Sequence, residues 1–163
     1  MGTGGSEGSG TGSVISEIEF WQPMRNIMAA KGWKMIALPG FPFAAEKGGW
    51  AVGMVDAAAK DATAAFYEFD QKIERNKIAP SRLFVAVFYR ASQSDVEAIT
   101  DLSRGNRMGT QAVAGLIHLI GNSFYPPKPA KFDLLSGYSN QPDFNEEIGR
   151  EVQDALRRIA GPR

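Results

Sequence analysis

The chain has 163 residues, with 18 Lys plus Arg against 18 Asp plus Glu, so no net charge draws it toward nucleic acid or an anionic membrane surface. The absence of cysteine excludes disulfides, thiolate nucleophiles and Cys-ligated metal, and a single histidine leaves too few ligands for a histidine zinc site. Apolar residues make up 44% of the chain, no run approaches the roughly 20 residues of a membrane span, and no leader pattern opens it; a cytoplasmic globular protein is expected.

Residues 1–13, MGTGGSEGSGTGS, hold no apolar side chain after Met1 and read as a disordered Gly/Ser-rich tail ahead of a single domain over 14–163. Gly2 and Ser6 fit an acylation pattern, but no basic cluster backs a lipid anchor. Ser16 and Glu19 form a capping box for a helix that runs to Lys31 and stops at Gly32. Pro23 conflicts with that start, unless the helix begins at Gln22 and residues 14–20 are a short extended piece. Either way Met24, Ile27 and Met28 supply the buried stripe. Residues 33–38 and 50–55 then read as strands of an antiparallel hairpin, joined by a wide loop with Pro39, Gly40, Pro42 and the Gly48-Gly49 pair. From 56 to 77 the spacing of Val55, Ala59, Ala62, Phe66, Phe69 and Ile73 predicts a helix with Asp56 as N-cap and Glu68–Lys72 as an i,i+4 pair.

The run LFVAVFY at 83–89 is too short for a buried helix and too apolar for a half-exposed strand. It predicts a strand covered on both faces, hence a layered domain. Ser94 and Glu97 predict the next helix, carrying Val96, Ile99 and Leu102 and ending before Gly105. At 110–121 the spacing of Val113, Leu116, Ile117 and Ile120 favours a helix capped by Thr110 and stopped by Gly121, with a buried strand as the alternative. FYPPKPAKF reads as a loop, and 131–135 as an edge strand. Asp143 and Glu146 open a last helix with Phe144, Ile148, Val152, Ala155 and Ile159 on one face, closed by Gly161 and Pro162. The expected fold is α/β (or α+β): one layered domain with a mixed central sheet of about 3–5 strands covered by about 4–5 helices.

Three constellations are candidates for function. Asp56 with the triplet Asp70-Gln71-Lys72, supported by Glu19, has the composition of a magnesium-dependent nuclease of restriction-endonuclease type. Two carboxylates would hold the cation and a lysine would stabilise developing charge. That arrangement requires residues 64–72 to be a strand, so that Asp70 and Lys72 share a face. Arg90, Ser92 and Ser94, between a strand end and a helix start, are suited to a small anion. Phe41, Phe43, Trp50, Phe124 and Tyr125, around Pro- and Gly-rich segments, suit an interaction surface. His118 lies alone in an apolar segment, and Gly105 to Thr110 lacks the lysine of a phosphate loop. The expected function is therefore a non-catalytic interaction or assembly module that binds a protein partner or itself. Nucleic acid is disfavoured, and neither metal nor cofactor is needed outside the nuclease alternative.

Overall fold

The computed structural model describes residues 15–104, 112–127 and 146–160. The expected tail at 1–13, the strand at 131–135, and the Asp143 cap with Phe144 lie outside them, as do Gly161 and Pro162. Within them the chain is mixed α/β, with four helices and a six-stranded sheet in place of the expected 3–5 strands.

The first segment combines both sequence readings. Ser16 caps a π-helical turn, Glu17–Trp21, by accepting from the Glu19 N–H, and the turn runs directly into α1, Gln22–Ala30. Pro23 has no N–H to donate back. The Gln22 N–H reaches instead to Glu17 C=O, so the wider turn absorbs the place where an α-helical bond would be missing. α1 ends at Gly32, φ +101°, where the Gly32 N–H reaches Ala29 C=O and the Trp33 N–H reaches Met28 C=O.

The expected wide loop contains a strand. β1, Lys34–Met35, pairs with β2, Phe43–Lys47, which turns back into β3, Trp50–Asp56. The Gly48-Gly49 pair, with φ +57° and +85°, is a two-residue hairpin turn whose backbone only glycine adopts freely. β3 is buried along its whole length. It is followed by a turn and α2, Ala62–Asn76, which begins five residues later than predicted. Asp61, and not Asp56, is the N-cap, accepting from the Ala64 N–H at 2.9 Å, because Val55 and Asp56 belong to the strand.

β4, Ser81–Phe88, is the expected buried strand and lies parallel to β3. α3, Gln93–Arg104, leads to β5, Ala112–His118, parallel to β4 with Arg82 opposite Ala112 and Phe88 opposite His118. The helix expected at 110–121 is thus corrected to a strand. The apolar spacing fits both periods, and a slot beside β4 that needs filling on both faces decides between them. β6, Ser123–Tyr125, closes the sheet antiparallel to β5, so part of the expected Pro-rich loop is a strand. α4, Glu146–Ala160, follows.

The strand order is the sequence order, β1 to β6. The helices form two layers. Met24, Met28, Ile148, Val152, Ala155 and Leu156 from α1 and α4 cover Phe43, Val52, Met54, Leu83, Val85 and Val87 on one face. Phe66, Phe69, Ile73, Ile99 and Leu102 from α2 and α3 cover Ala51, Val55, Phe84, Ala86 and Leu116 on the other. Small residues on this second face let the aromatic rings come close. A β-carbon on Gly53 would collide with the Phe69 ring. Gly53→Ala is therefore expected to cost about 1–3 kcal/mol, read as a lower urea midpoint at unchanged slope. Combining it with Phe69→Leu should cost less than the two single changes summed.

Candidate functional site

The positions that a nuclease site would use are not brought together. Residues 64–72 are helical, within α2, which corrects the strand that the metal site requires. On a helix Asp70 and Lys72 are two residues apart and point in different directions. Asp70 accepts from Arg82 Nη1 at 2.8 Å, at the start of β4. Lys72 pairs with Glu68 at 2.9 Å and donates to Pro39 C=O at 3.0 Å. Asp56 sits at the other end of the strands. Arg82 is opposite Ala51, and Asp56 lies five residues further along β3, roughly 16 Å away at the rise of a strand. Its carboxylate is 8% exposed and accepts from the Ile15 N–H at 3.1 Å and the Ala58 N–H at 2.9 Å, so it ties the incoming chain to the strand end. Glu19 is exposed on the π-helical turn. Among the described residues no group of three or more His, Asp or Glu side chains could hold a metal ion.

The meander offers no alternative acid pair on a shared face. Ala51, Gly53 and Val55 face one side of β3, and Trp50, Val52 and Met54 the other. The space above Gly53 is filled by the Phe69 ring.

The expected anion site is also built differently. Ser92, two residues before the predicted Ser94, caps α3. Its hydroxyl accepts from the Asp95 N–H at 3.1 Å, and the Asp95 carboxylate accepts from the Ser92 N–H at 2.8 Å and from its hydroxyl at 2.9 Å. The positive end of α3 thus already faces the helix's own carboxylate, which an incoming anion would meet. Arg90, Ser92 and Ser94 are exposed. α2 and α3 cross over on the same face, so the strand order never reverses to open the crevice that sheets of this kind use for ligands.

Of the five aromatics expected at a surface, three are core. Phe43 is fully buried, and Phe41 and Trp50 are each 8% exposed. Phe41 packs on Phe69 with ring centroids 5.6 Å apart, beneath Lys60 Nζ at 4.8 Å and Lys72 Nζ at 5.9 Å. The two ammonium groups share Glu68, whose carboxyl is held below its ordinary range first by the Lys60 hydrogen bond and then by that of Lys72. This cluster fastens the loop at 39–42 to α2. Phe124 is half-buried against the α1–α4 layer, and Tyr125 is exposed.

Two charged sites went unpredicted. Arg82 is 4% exposed, with Nη1 on Asp70 and Nη2 on Glu74 at 2.7 Å, clamping α2 to β4. The i,i+4 spacing of the two acids on α2 was the available signal. Glu151 on α4 accepts from Trp33 Nε1 at 2.7 Å and Lys47 Nζ at 2.9 Å, while Lys47 also donates to Lys31 C=O at 2.7 Å and Lys31 pairs with Asp154. Burial pushes the Glu151 carboxyl up, but the Lys47 and Trp33 hydrogen bonds outweigh it and leave it below the ordinary range.

His118 is half-buried at the end of β5, and its Nε2 is buried with no hydrogen-bond partner among the described residues. Exposed large apolar side chains include Ile18, Tyr67, Tyr89, Ile120 and Tyr125. Tyr89 and Ile120 adjoin, since the Ile120 N–H donates to Tyr89 C=O at 3.1 Å. No described helix is long and apolar enough to cross a membrane. No protein-family model matches the chain, nor does any curated protein or solved structure.

Asp70→Asn is expected to lower stability by about 1–3 kcal/mol, because Arg82 then keeps only the largely exposed Glu74 as a charged partner. Chemical denaturation measures this. The pH dependence has a fixed sign. The Glu151 carboxyl ionises at lower pH in the folded chain than in the unfolded one, so its contribution is complete above the unfolded value and is lost as pH falls through the folded value. Melting temperature should drop on acidification below about pH 4.3, and Glu151→Gln should make that drop shallower.

Proposed function

We propose that this domain is a non-catalytic protein–protein interaction or assembly module working in the cytoplasm. One observation carries the proposal: Asp56, Asp70 and Lys72, three of the side chains singled out for chemistry, are engaged in holding the fold. Asp70 holds Arg82, Lys72 holds Glu68 and Pro39, Asp56 receives two backbone N–H groups, and Asp95 closes the start of α3. The interior strands carry apolar side chains at nearly every position between them. A chain without cysteine suits a reducing compartment.

The partner surface is assigned to the rim at the carboxyl ends of β4 and β5 in place of Phe41 and Trp50, whose burial makes them part of the folding energy. Tyr89 and Ile120 are 49% and 46% exposed, adjacent, and beside the exposed Arg90. Aromatic and Arg side chains of this sort are enriched at recognition surfaces.

The test is a double variant, Tyr89→Ser with Ile120→Ser. A protein that co-purifies with the full chain from its source cell, once isolated and titrated, should bind the variant about tenfold or more weakly, at unchanged melting temperature. Equal affinity would remove this rim from the partner surface. Phe41→Ala, by contrast, should cost about 3 kcal/mol or more of stability.

A further inference from the structure

We propose that the outer edge of β1 pairs with the β1 edge of a second copy of the same chain, joining two sheets into one. This specifies the assembly half of the function proposed above, and it uses a different surface from the Tyr89–Ile120 rim.

The parity of the ladder identifies the open edge. The Ile36 N–H donates to Ala44 C=O at 2.8 Å, so Ile36 and Ala44 are a hydrogen-bonded pair. With Lys34 opposite Glu46 and Met35 opposite Ala45, antiparallel alternation turns the N–H and C=O of Met35 away from β2. The same alternation turns those of Ala37 outward. Among the described residues neither Met35 nor Ala37 has a hydrogen-bond partner on that side. Lys34 and Ala37 are exposed, and Met35 and Ile36 half-buried.

The opposite edge is treated differently. Gln153 on α4 accepts from the Phe124 N–H at 3.1 Å and donates to Asn122 C=O at 3.3 Å. These are the two bonds that one residue of an added parallel strand would make, supplied here by a side-chain amide. The next outward position on β6 is Pro126, which has no N–H. A short strand, a covering helix and a proline together close that edge. Of these devices β1 has only its shortness, to which Lys34 adds a charge.

A second copy fits the open edge because the open groups are symmetric about Ile36. A twofold axis there sets Met35 of each copy opposite Ala37 of the other. Both become hydrogen-bonded pairs, and every open N–H and C=O at the two positions finds a partner. Lys34 falls opposite Leu38 and not opposite another lysine, so no like charges face each other. The ladder ends where Pro39 has no N–H and the Trp33 N–H is already given to Met28 C=O.

The experiment is sedimentation equilibrium over a concentration series, combined with residue-resolved amide exchange on the full chain. A monomer–dimer equilibrium is expected, with the Met35 and Ala37 amides exchanging fast when dilute and slowly when concentrated. Ala37→Pro removes one donor per copy while keeping an extended backbone at a position that gives β2 no bond. It should raise the dimer dissociation constant about tenfold or more, with the melting temperature of the dilute monomer unchanged. Tyr89→Ser with Ile120→Ser should leave this dimer intact, so the two surfaces succeed or fail separately. Three results would overturn the proposal: a monomer at every concentration, a dimer indifferent to Ala37→Pro, or Met35 and Ala37 amides already protected in the dilute monomer, which would mean that the chain covers its own edge.

Discussion

The structure depends on one constraint: β3, β4 and β5 are buried on both faces. Val52, Leu83, Val85 and Val113 need cover from α1 and α4, and Ala51, Phe84, Ala86 and Leu116 need it from α2 and α3. Strands joined by parallel crossovers have nowhere to turn a polar face, so their composition becomes almost uniformly apolar. The side-chain sizes then divide the work. One face uses branched aliphatics against helices rich in Met, Val and Leu. The other uses Ala and Gly53 against the rings of Phe66 and Phe69, which meet Phe84 with centroids 5.8 and 6.4 Å away. Three rings in tilted or edge contact fill more volume than an aliphatic set could beside such small neighbours.

With the interior given to packing, charges work at the seams between layers. Arg82 stands where α2 meets the sheet, Glu151 where α4 meets β1 and β2, and Glu68 where the loop at 39–42 meets α2. Each is a hub with two partners, and Glu151 joins segments more than a hundred residues apart. A buried cation such as Arg82 is costly to desolvate, and two acids on one helix offset that cost only in one register of α2 on β4. Its Nε, buried with no partner among the described residues, shows that the compensation is incomplete. Such hubs fix how the layers sit more than they add to stability. They also account for Asp70 and Lys72, which in sequence look like candidates for chemistry.

How much of this was legible follows from which signals are local. The run at 83–89, the periodic face of α2 and the amphipathic face of α4 declare themselves, because burial on one or both sides writes a period directly into the chain. The glycine stop of α1 is equally local. Elsewhere local signals compete. Asp56 and Asp61 are both able to cap α2, and only the hydrogen-bonded partnership of β3 with β4 shows that Asp56 still belongs to the strand. Ser92 with Asp95 and Ser94 with Glu97 are overlapping capping boxes two residues apart, separated by where β4 ends. The segment at 112–118 carries helix and strand periods at once, and a neighbour thirty residues away chooses. Gly48-Gly49 was readable as a two-residue hairpin turn, but FAAEK lacks the alternation that marks a strand. The aromatics failed as surface markers for a plainer reason. A sequence shows that Phe41 and Trp50 are large and apolar, but not that two lysines and a helix will lie over one of them.

The linear order of the sheet bears directly on function. In sheets whose crossovers reverse direction, the two diverging helices leave a crevice at the carboxyl ends of the strands, and ligands settle there. Here β3, β4 and β5 are connected in one direction by two helices, so that one face of the sheet is covered by α2 and α3 side by side. At its far corner the same end presents Tyr89, Arg90 and Ile120 as an exposed rim. That rim can be covered by another macromolecule, and so can an open strand edge. The proposed recognition role rests on that rim and that edge, while Asp70, Arg82 and Glu151 are engaged in keeping the layers together.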